Sequence, residues 1–156
     1  MTLRIGDPAP DFTLRDQHGR STSLADFRGR QPVVVVFYPF AFSGVCTGEL
    51  RELRDHGSRL TETGAAVLAV SCDPMFALRV FADQDGLELP LLSDFWPHGE
   101  VARAYGAFDA DHGCPTRSTF IVDAEGVLRW FVHNPMGEAR SLDDYVREVA
   151  ALGDGK

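Results

Sequence analysis

The segment best placed to do chemistry is Pro39-Phe-Ala-Phe-Ser43-Gly-Val-Cys46-Thr-Gly-Glu49, which follows a strongly apolar run ending at Tyr38. Pro39 has no N–H for a strand ladder, so a strand is expected to stop there and a helix to begin near Ser43. Cys46 then falls in the first helical turn. Free backbone N–H groups and the positive end of the helix dipole favour a thiolate at that place, and a thiolate is a nucleophile. An ordinary thiol is only a few per cent ionised at neutral pH. Shifting it by about 2 pH units takes about 2.7 kcal/mol. The helix terminus supplies roughly 0.3–1 kcal/mol, up to about 2 if partly buried. A second cationic or donor group is therefore expected beside the sulfur.

Plainer readings stand beside this one. A lone cysteine in a strand–helix loop is more often a small buried hydrophobe. Ser43 could serve only as a helix cap, and Glu49 only as a favourable acid in the first helical turn. Phe40, Phe42, Phe95 and Trp96 are more often core or interface than substrate contacts. The motif reads Cys46-Thr-Gly-Glu49, without a second cysteine, so it does not hold a dithiol. Cys72 directly follows the apolar stretch Ala65–Ser71 and is expected to be a core thiol. Cys114, in Asp111-His-Gly-Cys-Pro115, reads as more exposed; it could resolve an oxidised Cys46 only if the two Cα atoms come within about 7 Å. His18, His56, His98, His112 and His133 show no metal-ligand spacing, and no Gly-rich phosphate loop follows the first buried strand. No metal and no cofactor are expected. His98 and His112 could lie near the site, but a lone loop histidine is usually solvated.

The elements that must position these residues follow from the hydrophobic pattern. Phe12–Leu14 and Ser21–Leu24 flank Gln17-His18-Gly19, which suggests a small hairpin. Val33–Tyr38 and Ala65–Ser71 read as buried strands. Ser43 to Leu60 reads as a helix with Val45, Leu50, Leu53 and Leu60 on one stripe. Asp73 to Asp85 reads as a second helix and Val101–Tyr105 as a short one. Ser118–Val122 and Val127–Val132 are strands joined by Asp123-Ala-Glu-Gly126. Ser141 to Leu152 closes the chain as a capped helix, leaving a frayed tail from Gly153 to Lys156. The order predicts an α/β fold with a central mixed sheet, whose sites lie beyond the carboxyl ends of the central strands.

With 156 residues, one domain spanning 1–156 is expected, able to bury roughly 68–70% of its unfolded surface. A composition of 44% hydrophobic and 24% charged residues fits a globular chain. The 15 basic and 23 acidic residues give a net charge of -8, which disfavours nucleic acid as a partner. Three cysteines do not make a secreted disulfide framework. The opening Met1-Thr-Leu-Arg-Ile-Gly-Asp-Pro8 has no signal-peptide pattern, and the most apolar stretch, Pro32–Phe42, is about half of what crosses a bilayer. A soluble, cytoplasmic protein is expected.

The spacing Pro39-x-x-x-Ser43-x-x-Cys46 resembles the peroxiredoxins, cysteine peroxidases on the thioredoxin-like fold. Arg117-Ser-Thr-Phe-Ile-Val-Asp123 is similar to their second landmark, an arginine just before a late strand. Gly6-Asp-Pro-Ala-Pro-Asp-Phe-Thr-Leu14 resembles their opening segment. Leu91-Leu-Ser-Asp-Phe-Trp-Pro-His-Gly99 is similar to the alkyl hydroperoxide reductase E subgroup, described as one-cysteine enzymes. The resemblance runs from about Gly6 to the final helix. It implies that Cys46 attacks hydrogen peroxide, organic hydroperoxides or peroxynitrite and becomes a sulfenic acid. It implies further that Arg117 is the missing cation, that Ser43 orients the peroxide, that Pro39 shields the site and that Glu49 anchors the arginine. Ser43 stands where the family more often has Thr. An external thiol or redoxin would be the reductant, and a homodimer beside the aromatic loops is implied. Two alternatives compete. Glutathione-peroxidase-like chemistry would want a Gln and a Trp around the cysteine, and Gln17, Gln31 and Gln84 are not so placed. A redox-sensing or chaperone-like protein would use Cys46 only once.

Overall fold

The computed structural model describes residues 3–154. The expected hairpin forms from β1 (Thr13–Arg15) and β2 (Ser21–Ser23). Gly19, at φ 80°, makes the reversal that a side chain would strain. A short 3-10 turn, Leu24–Phe27, follows, and then β3 (Val33–Phe37), buried at every position.

The long helix expected after Ser43 is broken. It divides into α1 (Gly44–His56) and the single turn α2 (Ser58–Thr61), with Gly57 between them. Leu50 and Leu60 are buried as expected, but Val45 is only half-buried because its turn faces a cavity. Next come β4 (Ala66–Ser71), α3 (Met75–Asp85), β5 (Leu91–Ser93) and α4 (Glu100–Ala104). Pro74 caps α3 from outside, so the helix starts two residues later than expected. The chain continues through β6 (Phe108–Asp109), β7 (Cys114–Pro115), β8 (Arg117–Val122) and β9 (Leu128–Asn134) to α5 (Leu142–Asp154). The expected tail thus begins inside α5, and residues 155–156 lie outside the described residues, as do residues 1–2.

The main sheet has seven strands in the order β2-β1-β5-β4-β3-β8-β9. Strands β3, β4 and β5 are parallel neighbours, while β8 runs antiparallel to β3, so the sheet is mixed. Three residues were too few for β5 to stand out in the sequence pattern, and the two-residue pair β6–β7 is shorter still.

The alternation of β3 sorts the core. Val33, Val35 and Phe37 meet Phe12, Tyr105 and Phe120 on one face. Val34 and Val36 pack under Leu142, Tyr145 and Val149 of α5 on the other. Tyr38, one residue past β3, joins Cys46 and Leu50 of α1 with Leu78 and Phe81 of α3. Burying a leucine such as Leu50 fully contributes about 1.5–3 kcal/mol. That packing holds the first turn of α1 against the end of β3. No helix among the described residues is long and apolar enough to cross a membrane.

Candidate active site

The register of β3 against β8 assembles the site. Phe37 lies opposite Ser118, so Arg117 falls one step beyond the end of β3, above the start of α1. Cys46 is the third residue of α1 and is fully buried. Arg117 Nη2 donates to Cys46 Sγ at 3.4 Å. The same guanidinium donates through Nη1 to Glu49 Oε1, and through Nε to the Met136 carbonyl at 2.9 Å. Its three contacts hold it in one plane and one orientation.

Glu49 is the sixth residue of α1, past its first turn, so the plain reading as a dipole-favoured acid does not apply. Instead it grips two arginines. Arg140 donates to Glu49 from its backbone N at 2.7 Å, from Nε at 2.8 Å and from Nη2 at 2.8 Å. The side chains of Glu49, Arg117 and Arg140 are only 7%, 3% and 2% exposed. Burial works against the Glu49 charge, but hydrogen bonds from Arg140, its charge and that of Arg117 outweigh it and hold the carboxyl below its usual range.

Arg140 was not singled out in the sequence. Its Nη1 also donates to the Phe37 carbonyl at 2.6 Å, the Ser118 carbonyl at 2.7 Å and Thr119 Oγ1 at 3.0 Å. It therefore ties β3, β8 and α1 together beneath Arg117. Only its place just before the last helix could have drawn notice, and that is also the place of an ordinary solvated loop arginine.

Ser43 takes the N-cap position, but its hydroxyl makes no capping bond; it donates to the Phe40 carbonyl at 2.9 Å. The oxygen keeps acceptor capacity toward the cavity it lines. Pro39 is buried against the same cavity. The loop between them is pinned by Asp73, whose carboxylate accepts the Ala41 N–H at 2.8 Å. Phe42 holds a left-handed φ of 71°, a strained value for a bulky residue, and packs its ring at a tilt against Phe81 with centroids 5.0 Å apart.

The cavity beside Cys46 measures about 340 Å³ and is lined by Pro39, Phe40, Ser43, His112, Cys114 and Arg117, among others. A larger one of about 480 Å³, lined by Arg30, Asp123, Arg129 and Leu152, lies by the other end of β3. Cys114 corrects an expectation: it is fully buried. The pairing of β6 with β7, closed by Gly113 at φ 68°, turns Cys114 inward while Asp111 and His112 of the turn stay in solvent. Burial, then the Asp109 charge, pushes its thiol up to about 11. Cys72 is buried, as expected. Phe40, Phe42, Phe95 and Trp96 are all exposed, Trp96 at 81%. No group of three or more His, Cys, Asp or Glu able to hold a metal gathers among the described residues.

Comparison with known proteins decides the family. Residues 5–131 match the model of the AhpC/TSA family. The chain is similar to alkyl hydroperoxide reductase E of Mycobacterium tuberculosis (strain ATCC 25618 / H37Rv), with 44% identity over 150 residues covering 96% of this chain and 98% of that protein. The chain belongs to the AhpC/TSA family. It is a peroxiredoxin, an enzyme of the thiol-dependent peroxidase class. Peroxiredoxin-2 of Rattus norvegicus is 36% identical over 158 residues, covering 95% of this chain and 78% of that protein. The crystal structure of Enterococcus faecalis AhpC superposes with a TM-score of 0.88 at 32% identity, covering 99% of this chain and 94% of that one. The thioredoxin-like fold expected from the resemblance is the one observed.

Proposed function

We propose that Cys46 is the peroxidatic cysteine of this peroxiredoxin, and that Arg117, Ser43, Pro39 and Glu49 form its site. The observation that carries this reading is the Arg117 guanidinium donating to Cys46 Sγ at 3.4 Å while Glu49 holds it in place. The Cys46 thiolate attacks one peroxide oxygen. An S–O bond forms, the O–O bond breaks, and the departing oxygen takes a proton from solvent to leave as water or an alcohol, or departs as nitrite when the substrate is peroxynitrite. Arg117 and the first N–H groups of α1 face the charge that develops on the oxygens. The Ser43 hydroxyl orients the peroxide, and Pro39 keeps bulk water from the sulfur. Arg140 serves as a positioning residue through Glu49.

Hydrogen peroxide and organic hydroperoxides are the proposed substrates, with peroxynitrite as a further one; the apolar wall of Pro39, Phe40 and Val45 suits an organic tail. The reductant is an external thiol or redoxin. Burial and a raised thiol at Cys114 favour a one-cysteine cycle over resolution by Cys114. The chain acts as one unit over 1–156, in the cytoplasm. The exposed Phe40, Phe42, Phe95 and Trp96 favour a homodimer, since an acidic monomer seldom leaves so much aromatic surface bare.

One equivalent of peroxide followed by peptide mass spectrometry tests the cycle. A sulfenic acid on Cys46 is expected; a Cys46–Cys114 crosslink would replace the one-cysteine cycle with a two-cysteine one. Repeated turnover per Cys46 in the presence of a thiol separates a peroxidase from a single-use sensor.

A further inference from the structure

The cavity beside Cys46 has a polar wall, and one group on it, His112, takes no part in the oxidation of Cys46 described above. His112 lines it with Ser43, Cys114 and Arg117. The ring is held in place. Its Nδ1 lies 2.8 Å from Asp109 Oδ2, while Asp109 Oδ1 accepts the backbone N–H of Asp111 at 3.0 Å and of His112 at 3.2 Å. The β6–β7 hairpin carries both residues, and His98 Nε2 braces it at the Gly113 carbonyl, 2.7 Å away. With Nδ1 turned to a carboxylate, His112 Nε2 has no hydrogen-bond partner among the described residues. A carboxylate on one ring nitrogen fixes the tautomer and leaves the lone pair of the other nitrogen free to accept a proton.

The rest of the wall is poorly equipped to carry a proton. A guanidinium does not release one in a protein. The Ser43 hydroxyl is engaged with the Phe40 carbonyl, and the Cys114 thiol is pushed up to about 11. Histidine is the side-chain type that takes and gives protons near neutral pH. His112 is also 70% exposed, which places it where a molecule arriving from solvent meets the cavity that Ser43 and Arg117 line. The titratable and charged groups beside it are Asp109 and Asp111 of its own hairpin, His98 braced against Gly113, and Cys114 and Arg117 across the cavity.

We propose that His112, oriented by Asp109, is the general base that activates the incoming reducing thiol. This rests on Cys46 being the peroxidatic cysteine. The thiol gives its proton to Nε2, and its sulfur attacks the sulfur of the Cys46 sulfenic acid. The S–S bond forms as the S–O bond breaks, and the departing hydroxide takes the proton and leaves as water. The sulfenic sulfur is reduced, the thiol sulfur is oxidised, and the products are a mixed disulfide and water. A second molecule of thiol then frees Cys46 by exchange.

The two half-reactions can be timed apart. Cys46 is oxidised with one equivalent of hydrogen peroxide and then mixed with 2-mercaptoethanol, and the mixed disulfide is followed by acid quench and mass spectrometry. At pH 7, His112→Ala is expected to slow this step about ten- to a hundredfold, at or below the low end of general-base effects, while the peroxide step stays within about twofold. His112→Gln, which keeps a polar side chain of similar reach, should lose as much, and Asp109→Asn somewhat less. Above the ionisation of the added thiol, where it arrives as thiolate, wild type and variants should converge. Equal mixed-disulfide rates at pH 7, or an equal loss in both half-reactions, overturns the proposal. Failure of Cys46 to oxidise in the first step instead overturns the peroxidatic reading beneath it.

Discussion

Two successive strand–helix junctions of the sheet each bring a cysteine near a helix N-terminus, with opposite chemistry around it. After β3, Cys46 sits inside the first turn of α1 with Arg117 donating to its sulfur at 3.4 Å. After β4, Cys72 stops just short of α3, and the charges of Asp94 and Asp73 face it, outweighing the opposing charge of Arg103. Both sulfurs are buried. Burial pushes the Cys72 thiol up to about 12, and both aspartates push the same way. Asp94 is itself buried, which raises its own carboxyl even though it accepts the N–H groups of Val101 at 3.1 Å and Ala102 at 2.9 Å. A parallel-sheet junction therefore does not make a reactive thiol by itself. The neighbouring strand decides: antiparallel β8 begins with a cation beside Cys46, while β5 leads into a carboxylate beside Cys72.

The strongest test of that difference is to remove each sulfur. Cys46→Ser is expected to abolish peroxide consumption in the presence of excess thiol. Cys72→Ser should leave the rate close to wild type, measured by loss of peroxide. Normal turnover in Cys46→Ser would end the comparison. Replacing the cation comes next. Arg117→Met keeps much of the side-chain length but removes the donors, and the rate of Cys46 oxidation should fall about 10²–10³-fold, as for loss of one preorganised donor. Stopped-flow reaction with one equivalent of peroxide measures it.

Most of the first junction was legible in the sequence, because its information is local. An apolar run, a proline and a hydroxyl three residues before a cysteine define strand end, loop and helix start within about a dozen residues. Arg117 was legible through the family resemblance. Arg140 was not, since its role depends on three carbonyl or carboxylate groups from β3, β8 and α1 that only folding brings together. Cys114 was misjudged for a related reason: a turn rich in Asp, His and Gly looks solvated until the short β6–β7 pairing buries one of its residues. The second junction was legible as a core thiol, but the carboxylate of Asp94 beside it was not, because β5 was too short to see.

Glu49 offers a test through stability. Glu49→Gln leaves two buried guanidinium groups without their counter-charge and should destabilise the fold by about 3–5 kcal/mol at pH 7. The sign with pH follows from the depressed carboxyl. Its contribution is fully present above the ordinary carboxylate range and is lost as pH falls through the lower value held in the folded state. The gap between wild type and Glu49→Gln in chemical denaturation should therefore narrow on acidification. A gap that stays constant down to the acid transition would show that the charge on Glu49 does not hold the two arginines.

The smallest expected effect concerns the two quiet thiols, and it sharpens the comparison because it asks for almost no change. Limiting iodoacetamide at pH 7 should label Cys46 first, since Arg117 donates to its sulfur at 3.4 Å and a cavity lined by Arg117 and Ser43 opens beside it. Raising the pH to 9 speeds alkylation of any thiol that gains thiolate over that interval. Cys114 and Cys72, pushed up to about 11 and about 12, gain very little of it while folded. Their labelling in native protein should stay slow at both pH values and become fast only in denaturant, where burial and the facing carboxylates no longer act. Peptide mass spectrometry reads all three sites in one sample. If native Cys72 is alkylated as readily as Cys46 at pH 7, the carboxylates around it do not set its reactivity, and the contrast between the two junctions fails.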